Sequence, residues 1–307
     1  MLIKPDCIPC VLNMSISVLR RLPLDEERIR SLYSEILEIP ALQGRVWDTT
    51  SSEVIEAVME RIHRAVHDPD PFSSEKDRQN QVVMALYPRL KALVEKSENA
   101  LYTATKLAIL GNAIDFMVPQ NMADIEKSIS DKLDFNLDRR EYETLEKNLS
   151  QSKRVLYFAD NCGEIVFDRL FMETAKGLFD VEFIFVVKSV PAMNDATLKE
   201  AHDVGLDRVA TVIENGIQAP LPGTILRRCS EAVKEWVRKA DFFISKGGGN
   251  FDTLDEEKDH FPRPIAFMFL SKCHPYFKTF GVEVNRAGEW HPLLPNPCFF
   301  WPRFVPR

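Results

Sequence analysis

Glycine is scarce in this chain: 12 residues in 307, and three of them stand together at Gly247-Gly248-Gly249. The scarcity excludes a dinucleotide fingerprint after the first predicted strand. That fingerprint needs several glycines close together, and the stretch Asp160 to Glu164 holds only Gly163. The GxxxxGK[ST] order of a Walker loop is absent as well. No apolar run approaches the ~18 residues needed to span a bilayer. Met1 to Cys7 lacks the charged-then-apolar pattern of a signal peptide, so a cytoplasmic location is expected. Positive charge is in deficit too, with 39 Lys and Arg against 46 Asp and Glu and a net charge of -7. That balance argues against a nucleic-acid binder, which carries a basic stripe, and the chain offers no membrane segment. An anionic small molecule remains compatible, because a bound metal ion reverses the local field. The six cysteines include one close pair, Cys7 and Cys10, and a chain of this size does not need disulfides to hold its core.

What is present is the composition of a soluble globular protein, 45% hydrophobic and 28% charged. Its length suits two domains or one large one with an appendage. Residues 11–116 read as helices. Ser51-Ser52-Glu53 opens one with Val54, Ala57, Val58 and Ile62 on a single face, running to about Val66, where Asp68-Pro69-Asp70-Pro71 stops it. The spacing of Val82, Val83, Leu86, Leu90 and Leu93 predicts a long helix over 75–97, and an Ala- and Leu-rich segment predicts another over 98–116. A more polar, less regular segment over 118–138 connects this region to the next. After about residue 150 the rhythm changes. Strands are predicted over 155–159, 181–187, 208–213, 241–245 and 265–270, with helices over 164–177, 196–204, 224–240 and a short one from Asn250. This alternation is the signature of βαβ units and a parallel, doubly wound sheet. The last segment, 293–307, has four prolines and reads as an extended tail packed by Phe299, Phe300 and Trp301.

In an open parallel sheet, ligands bind outside the carboxyl ends of the strands. Three polar clusters follow predicted strands. The first is Asp160-Asn161, with Glu164 one short step on. A carboxylate and an amide oxygen side by side suit a hard divalent cation, although both residues are also ordinary turn formers. The second runs from Lys188 to Asp195. Asp195 precedes Ala196-Thr197-Leu198 and is equally suited to capping that helix. The third is Ser245-Lys246-Gly247-Gly248-Gly249-Asn250. Glycines between a strand and a helix let backbone amides approach an anion, and Lys246 adds a full positive charge. The plain alternative is a flexible turn with a solvated lysine. Together the clusters make a coherent site. Two carboxylates and one amide oxygen leave roughly half of an octahedral shell for water and substrate. They nearly cancel a divalent charge, so a phosphate needs further positive partners, for which Lys246 and the loop amides are placed. The implied chemistry is metal-assisted phosphoryl transfer to water.

In these residues the chain resembles the metal-dependent damage-control phosphatases, a family long catalogued as a domain of unknown function. The resemblance covers nearly the whole chain and rests on five pieces in order: Cys-x-x-Cys at Cys7 to Cys10; Gly-Asn-x-x-Asp at Gly111, Asn112 and Asp115; Asp-Asn-x-Gly-Glu from Asp160 to Glu164; Asn-Asp-Ala-Thr from Asn194 to Thr197; and Lys-Gly-x-Gly-Asn from Lys246 to Asn250. The Cys-x-x-Cys resembles the prokaryotic stand-alone branch. The resemblance implies Asp160, Asn161 and Asp195 as metal ligands and Lys246 as a phosphate contact. Gly247, Gly248, Gly249, Asn250 and Glu164 join Lys246 as candidate substrate and phosphate contacts, and Asn112 and Asp115 as candidates for the substrate pocket. It implies an α/β protein: a mainly helical domain over 1–135 packed, as one compact unit, on a Rossmann-like three-layer α/β/α domain with a mainly parallel sheet over 136–307. The expected cofactor is manganese, cobalt, nickel or magnesium, and the expected partner a small phosphorylated metabolite such as a sugar phosphate. Whether water or a carboxylate such as Asp160 attacks stays open.

Cys7-Ile8-Pro9-Cys10 reads as half of a zinc site, a redox pair or two ordinary thiols at a helix start. A zinc site wants four ligands, and no second Cys-x-x-Cys exists. His63 and His67 are four apart on one predicted helix, without an acidic third ligand on that face, and read as a solvated or capping pair. Two rival functions remain on the same scaffold, since fold does not fix function. One is a methyltransferase or nucleotide-binding enzyme, which the glycine-poor first turn disfavours. The other is a non-catalytic module with a structural metal, which needs no phosphate-binding apparatus.

Overall fold

The computed structural model describes residues 1–112, 129, 133, 135–271 and 273–280, and the backbone of Asn296–Cys298. Asp115 and the aromatic residues expected to pack the tail lie outside the described residues. The chain opens with helices α1 (Cys7–Leu19), α2 (Glu26–Leu37), α3 (Ser51–Val66), α4 (Ser73–Lys96) and α5 (Ala100–Gly111), and α6 (Arg139–Gln151) leads into the sheet. Their starts follow from local chemistry. The Asp25 carboxylate accepts from the Arg28 N–H at 2.8 Å, and Thr50 and Glu53 close a reciprocal capping box ahead of α3. α3 stops at His67, whose left-handed backbone (φ 54°) ends the helix, so His63 and His67 do not share a helical face.

The second half supplies β1 (Arg154–Phe158), α7 (Glu164–Leu178), β2 (Glu182–Val187), α8 (Leu198–Asp203), β3 (Thr211–Glu214), α9 (Glu231–Lys239), β4 (Phe242–Lys246), α10 (Gly248–Glu256), β5 (Ile265–Ser271), α11 (His274–Phe280) and β6 (Asn296–Cys298). The strand order is β3-β2-β1-β4-β5-β6. β1 to β5 are mutually parallel, and β6 lies antiparallel on β5. The expected α/β class and parallel, doubly wound sheet are what the structure shows. β1 explains its uninterrupted apolar sequence: Val155 and Tyr157 enter one buried cluster, Leu156 and Phe158 the other, as a strand covered on both faces requires. One face carries α7, with Phe167 and Phe171, and the other carries α9 and α10, with Val233, Val237 and Phe251. Leu86, Leu107 and Leu145 of α4, α5 and α6 sit in the same buried cluster as Tyr157 and Phe183. These three helices are thus continuous with the sheet's core, whereas Val18, Leu32 and Val58 of α1, α2 and α3 belong to a separate buried cluster.

Two sequence boundaries shift for local reasons. The third strand begins at Thr211 rather than 208, because Gly205 (φ 73°) and a 3-10 turn over Leu206–Arg208 occupy the preceding residues. The helix predicted over 224–240 begins only at Glu231, where Ser230 caps it by accepting from the Val233 N–H. No described helix is long and apolar enough to cross a membrane.

The first turn of α3 meets α10 through polar contacts. Ser51 Oγ donates to Asp252 Oδ2 at 2.6 Å, and Tyr276 Oη donates to Asp252 Oδ1 at 3.0 Å. Burial pushes the Asp252 carboxyl up to about 6, against the opposing pull of the Met1 α-amino group and the two hydroxyls. A carboxyl with a raised folded-state pKa contributes stability that is full below its ordinary value and is lost as pH rises through the folded value. Over roughly two pKa units that loss is on the order of 2–3 kcal/mol. Urea denaturation at pH 4 and pH 7 should therefore show Asp252→Asn gaining about that much on the wild type across the interval. A gap that does not change with pH would mean that Asp252 titrates normally.

Candidate active site

Strand order reverses about β1, whose neighbours β2 and β4 are reached by crossovers leaving in different directions, and this switch point is where a crevice opens in such sheets. The chain leaving β1 and the chain leaving β2 are joined there through their backbones. Ala159 N–H donates to Val186 O at 2.9 Å, Ala196 N–H to Asp160 O at 2.9 Å and Cys162 N–H to Asn194 O at 2.8 Å. Asn161 and Asp195 form an isolated antiparallel bridge. These pairings bring Asp160, Asn161 and Asp195 together from segments 34 residues apart (195 minus 161). Gly163, at φ 76°, then turns the chain into α7, and its N–H donates to Asn80 Oδ1 of α4 at 2.6 Å. The capping alternative for Asp195 is answered by geometry. α8 begins at Leu198, and Thr197 with Glu200 forms its capping box, so Asp195 is not needed as a cap.

Asn112, at the end of α5, reaches into this cluster from the helical layer. Its Nδ2 donates to both Asp160 Oδ2 and Glu164 Oε2 at 3.0 Å. Asn161 Nδ2 donates to Asp160 Oδ2 at 2.6 Å. Two amides thus hold a carboxylate pair together.

Glu164 and Lys246 are corrected by the structure. Both are fully buried. The Lys246 ammonium lies 2.7 Å from each of Ala108 O, Asp168 Oδ1 and Glu164 Oε1. The ammonium hydrogen-bonds to Ala108 O and Asp168 Oδ1, and pairs with Glu164 Oε1 by charge. Burial alone would lower its pKa, but the adjacent Asp168 and Glu164 outweigh burial and raise it. Lys246 is therefore a buried structural cation facing α7, its charge held between two carboxylates rather than over the glycine turn. Glu164, expected among the substrate contacts, is ion-paired with Lys246 and accepts from Asn112. Asn250 is also internal: Nδ2 donates to Ala159 O and Lys246 O at 2.8 Å, while Oδ1 accepts from Thr224 Oγ1 at 2.8 Å and Lys188 Nζ at 3.1 Å. Its four partners leave it no donor for substrate.

The glycine turn owes its composition to close approach. Gly247 has φ 78°, and a Cβ there would overlap the Asp160 carboxylate; a Cβ on Gly249 would overlap Pro222 O. On Gly248 it would come within 2.7 Å of the Tyr276 hydroxyl. The turn becomes the N-terminus of α10, whose first-turn amides have no partner within the helix.

The residues present fit a divalent metal. Asp195 Oδ2 is buried with no hydrogen-bond partner, and Asn161 is bridged to Asp195 with Asp160 next to it. Burial pushes the Asp195 carboxyl up to about 6, opposed by Lys188, a cost that a cation would remove. Among the described residues no three His, Cys, Asp or Glu side chains form a metal-binding group. Asp160 and Asp195 supply two, and the third protein donor would be the amide oxygen of Asn161, leaving the remaining positions to water and substrate.

Cys7 and Cys10 open α1, half-buried and exposed respectively, and both are free thiols. Burial raises both, so neither has the depressed pKa of a reactive thiolate. Asp168 and Asn80 are further residues of the site. Asp168 has a signal in the sequence, lying four residues after Glu164 and so on the same helical face. Asn80 carries no local signal for its contact with Gly163.

Replacing Lys246 by Met would strand Glu164 and Asp168 as uncompensated buried charges, which costs about 3–5 kcal/mol. Urea denaturation of Lys246→Met should show a loss of that order. Near-normal stability would restore Lys246 as a candidate for phosphate contact.

Comparison with known proteins agrees with this architecture. Residues 3–287 match the family model described as the damage-control phosphatase ARMT1-like domain. A damage-control phosphatase of Archaeoglobus fulgidus is 32% identical over 295 residues, covering 93% of this chain and 97% of that protein. An uncharacterized protein of Methanocaldococcus jannaschii is 31% identical over 292 residues, covering 92% and 93%. The crystal structure of a DUF89 family protein from Pyrococcus horikoshii superposes with a TM-score of 0.82 at 26% identity, covering 92% of this chain and 96% of that one. With the match spanning sheet, switch point and helical layer alike, the chain belongs to the damage-control phosphatase ARMT1-like family.

Proposed function

We propose that the protein is a metal-dependent phosphomonoester hydrolase acting on small phosphorylated metabolites, sugar phosphates among them. Phosphatase-type function is supported at the level of the family, through the relatives that bear that name. The observation that carries the metal-dependent reading is the buried, unpartnered oxygen of Asp195 beside Asp160 and Asn161 at the sheet's switch point. Asp160, Asn161 and Asp195 would hold the ion. When bound, a divalent metal polarises a phosphoryl oxygen and favours a hydroxide nucleophile near neutral pH.

The chain's own residues do the rest. Asn112 fixes Asp160 and Glu164 relative to each other, so the carboxylates do not drift apart under their mutual repulsion. α10 starts directly after β4, at the same edge of the sheet as Asp160, and a helix N-terminus favours a phosphate. The net charge of -7 suits a small substrate more than a nucleic acid.

Chelator-treated protein should lose turnover of a generic aryl phosphate and regain it with manganese, cobalt, nickel or magnesium, all of which accept oxygen ligands. Asp160→Asn and Asp195→Asn should keep the circular-dichroism spectrum of the wild type while losing more metal affinity than the ~10–100-fold expected for an outer partner. Full turnover by demonstrably metal-free protein would overturn the reading, and a panel of phosphorylated sugars would then narrow the substrate.

A further inference from the structure

Lys188 is the first residue beyond β2, and it is 2% exposed. Its backbone is tied in by the Lys188 N–H to Ala196 O hydrogen bond at 3.0 Å and by a parallel bridge to Thr197. The side-chain ammonium donates to two neutral oxygens, Gly223 O at 3.0 Å and Asn250 Oδ1 at 3.1 Å, and stands 3.6 Å from Asp195 Oδ2. That last separation is too long for a hydrogen bond, and the oxygen it faces is the unpartnered one.

Three lysines are buried among the described residues: Lys76, Lys188 and Lys246. Lys76 lies between Asp70 at 2.5 Å and Glu200 at 3.1 Å. Lys246 lies between Glu164 and Asp168. Each of those cations is held by two carboxylates at close range. Lys188 is anchored by uncharged groups, and the carboxylate it pairs with is that of Asp195, 3.6 Å away. Its charge is the least neutralised of the three.

We propose that Lys188 is the cation that meets the phosphate of the substrate, in place of Lys246, whose charge two carboxylates hold at 2.7 Å. The inference rests on the phosphatase reading above. Asp160, Glu164, Asp168 and Asp195 set four negative charges against the two ammonium groups of Lys188 and Lys246, leaving -2. A divalent ion would bring the cluster to neutrality; without Lys188 the same ion would leave it at -1 and repel an arriving phosphate. Access is comparable for ion and anion, since the side chains of Lys188 and Asp195 are 3% and 4% exposed. A positive charge beside a ligand oxygen opposes the metal, so Lys188 is not expected to assist metal binding.

The experiment is calorimetric and independent of turnover. Manganese is titrated into the wild type and Lys188→Met, and inorganic phosphate is then titrated into each loaded protein. Lys188→Met should bind manganese at least as tightly as the wild type and phosphate roughly 100-fold more weakly, the scale of losing a group that stabilises charge in a water-poor site. Lys188→Arg should keep manganese affinity and lose less phosphate affinity than Lys188→Met, because charge is retained in a different shape. Weakened manganese binding with unchanged phosphate binding in Lys188→Met would make Lys188 a brace for Asp195 and overturn the proposal. If Lys188→Met does not fold, Lys188→Arg decides: phosphate affinity equal to that of the wild type overturns it. A wild type that binds neither ion removes the phosphatase reading first, and this inference with it.

Discussion

The ammonium of Lys246 joins three parts of the molecule that are remote in sequence. It rises from the end of β4 and touches the last turns of α5 through Ala108 O and the first turns of α7 through Glu164 and Asp168. Tyr157 of β1 reinforces the same point, its hydroxyl donating to Asp168 Oδ1 at 2.8 Å. A buried ion pair of this kind adds little net stability compared with a well-packed apolar replacement, but removing one partner is costly. The contact therefore acts mainly as a constraint on position. It holds Glu164, Glu164 holds Asn112 and Asn161, and those amides hold Asp160. The carboxylates at the crevice inherit their geometry from a lysine that is sealed away from it.

Much of the fold was legible because its sheet is covered on both faces. Val155 to Ala159 had to be apolar at every position, and such a run stands out against the amphipathic spacing of α3 and α4. What was hidden in the sequence depended on which side of a strand a residue faces. Lys246 reads as a loop cation if the strand is taken to end at Ser245. Continuing the alternation Phe242, Ile244, Lys246 puts it on the face occupied by α7, where Glu164 and Asp168 wait one helical turn apart. The parity of the strand carried the answer, and the glycines beside it drew attention elsewhere.

The site residues divide along the same line. That Asp160, Asn161 and Asp195 come together was legible because each follows a strand of one parallel sheet, and parallel strands deliver their ends to one edge. Asn112 was suggested by the family resemblance alone. No local pattern in α5 marks a residue that will touch Asp160, 48 positions later. Lys188 was visible as part of a polar cluster, but its distinction from the other buried lysines is a matter of which acceptors surround it. Neutral anchors and charged ones look alike in a sequence.

Asn250 gives the crevice a fixed gauge. The ladder pairs β1 with β4 as far as Phe158 and Ser245, and beyond it the two chains leave toward opposite faces. The single amide nitrogen of Asn250 reaches a carbonyl on each, Ala159 O and Lys246 O. The clearance between the two strand ends is thereby set by the span of one NH₂ group. An aspartate of the same size would turn oxygen toward both carbonyls and act as a wedge where asparagine acts as a clasp. Widening the crevice at this point must first break two 2.8 Å hydrogen bonds made by a fully buried side chain.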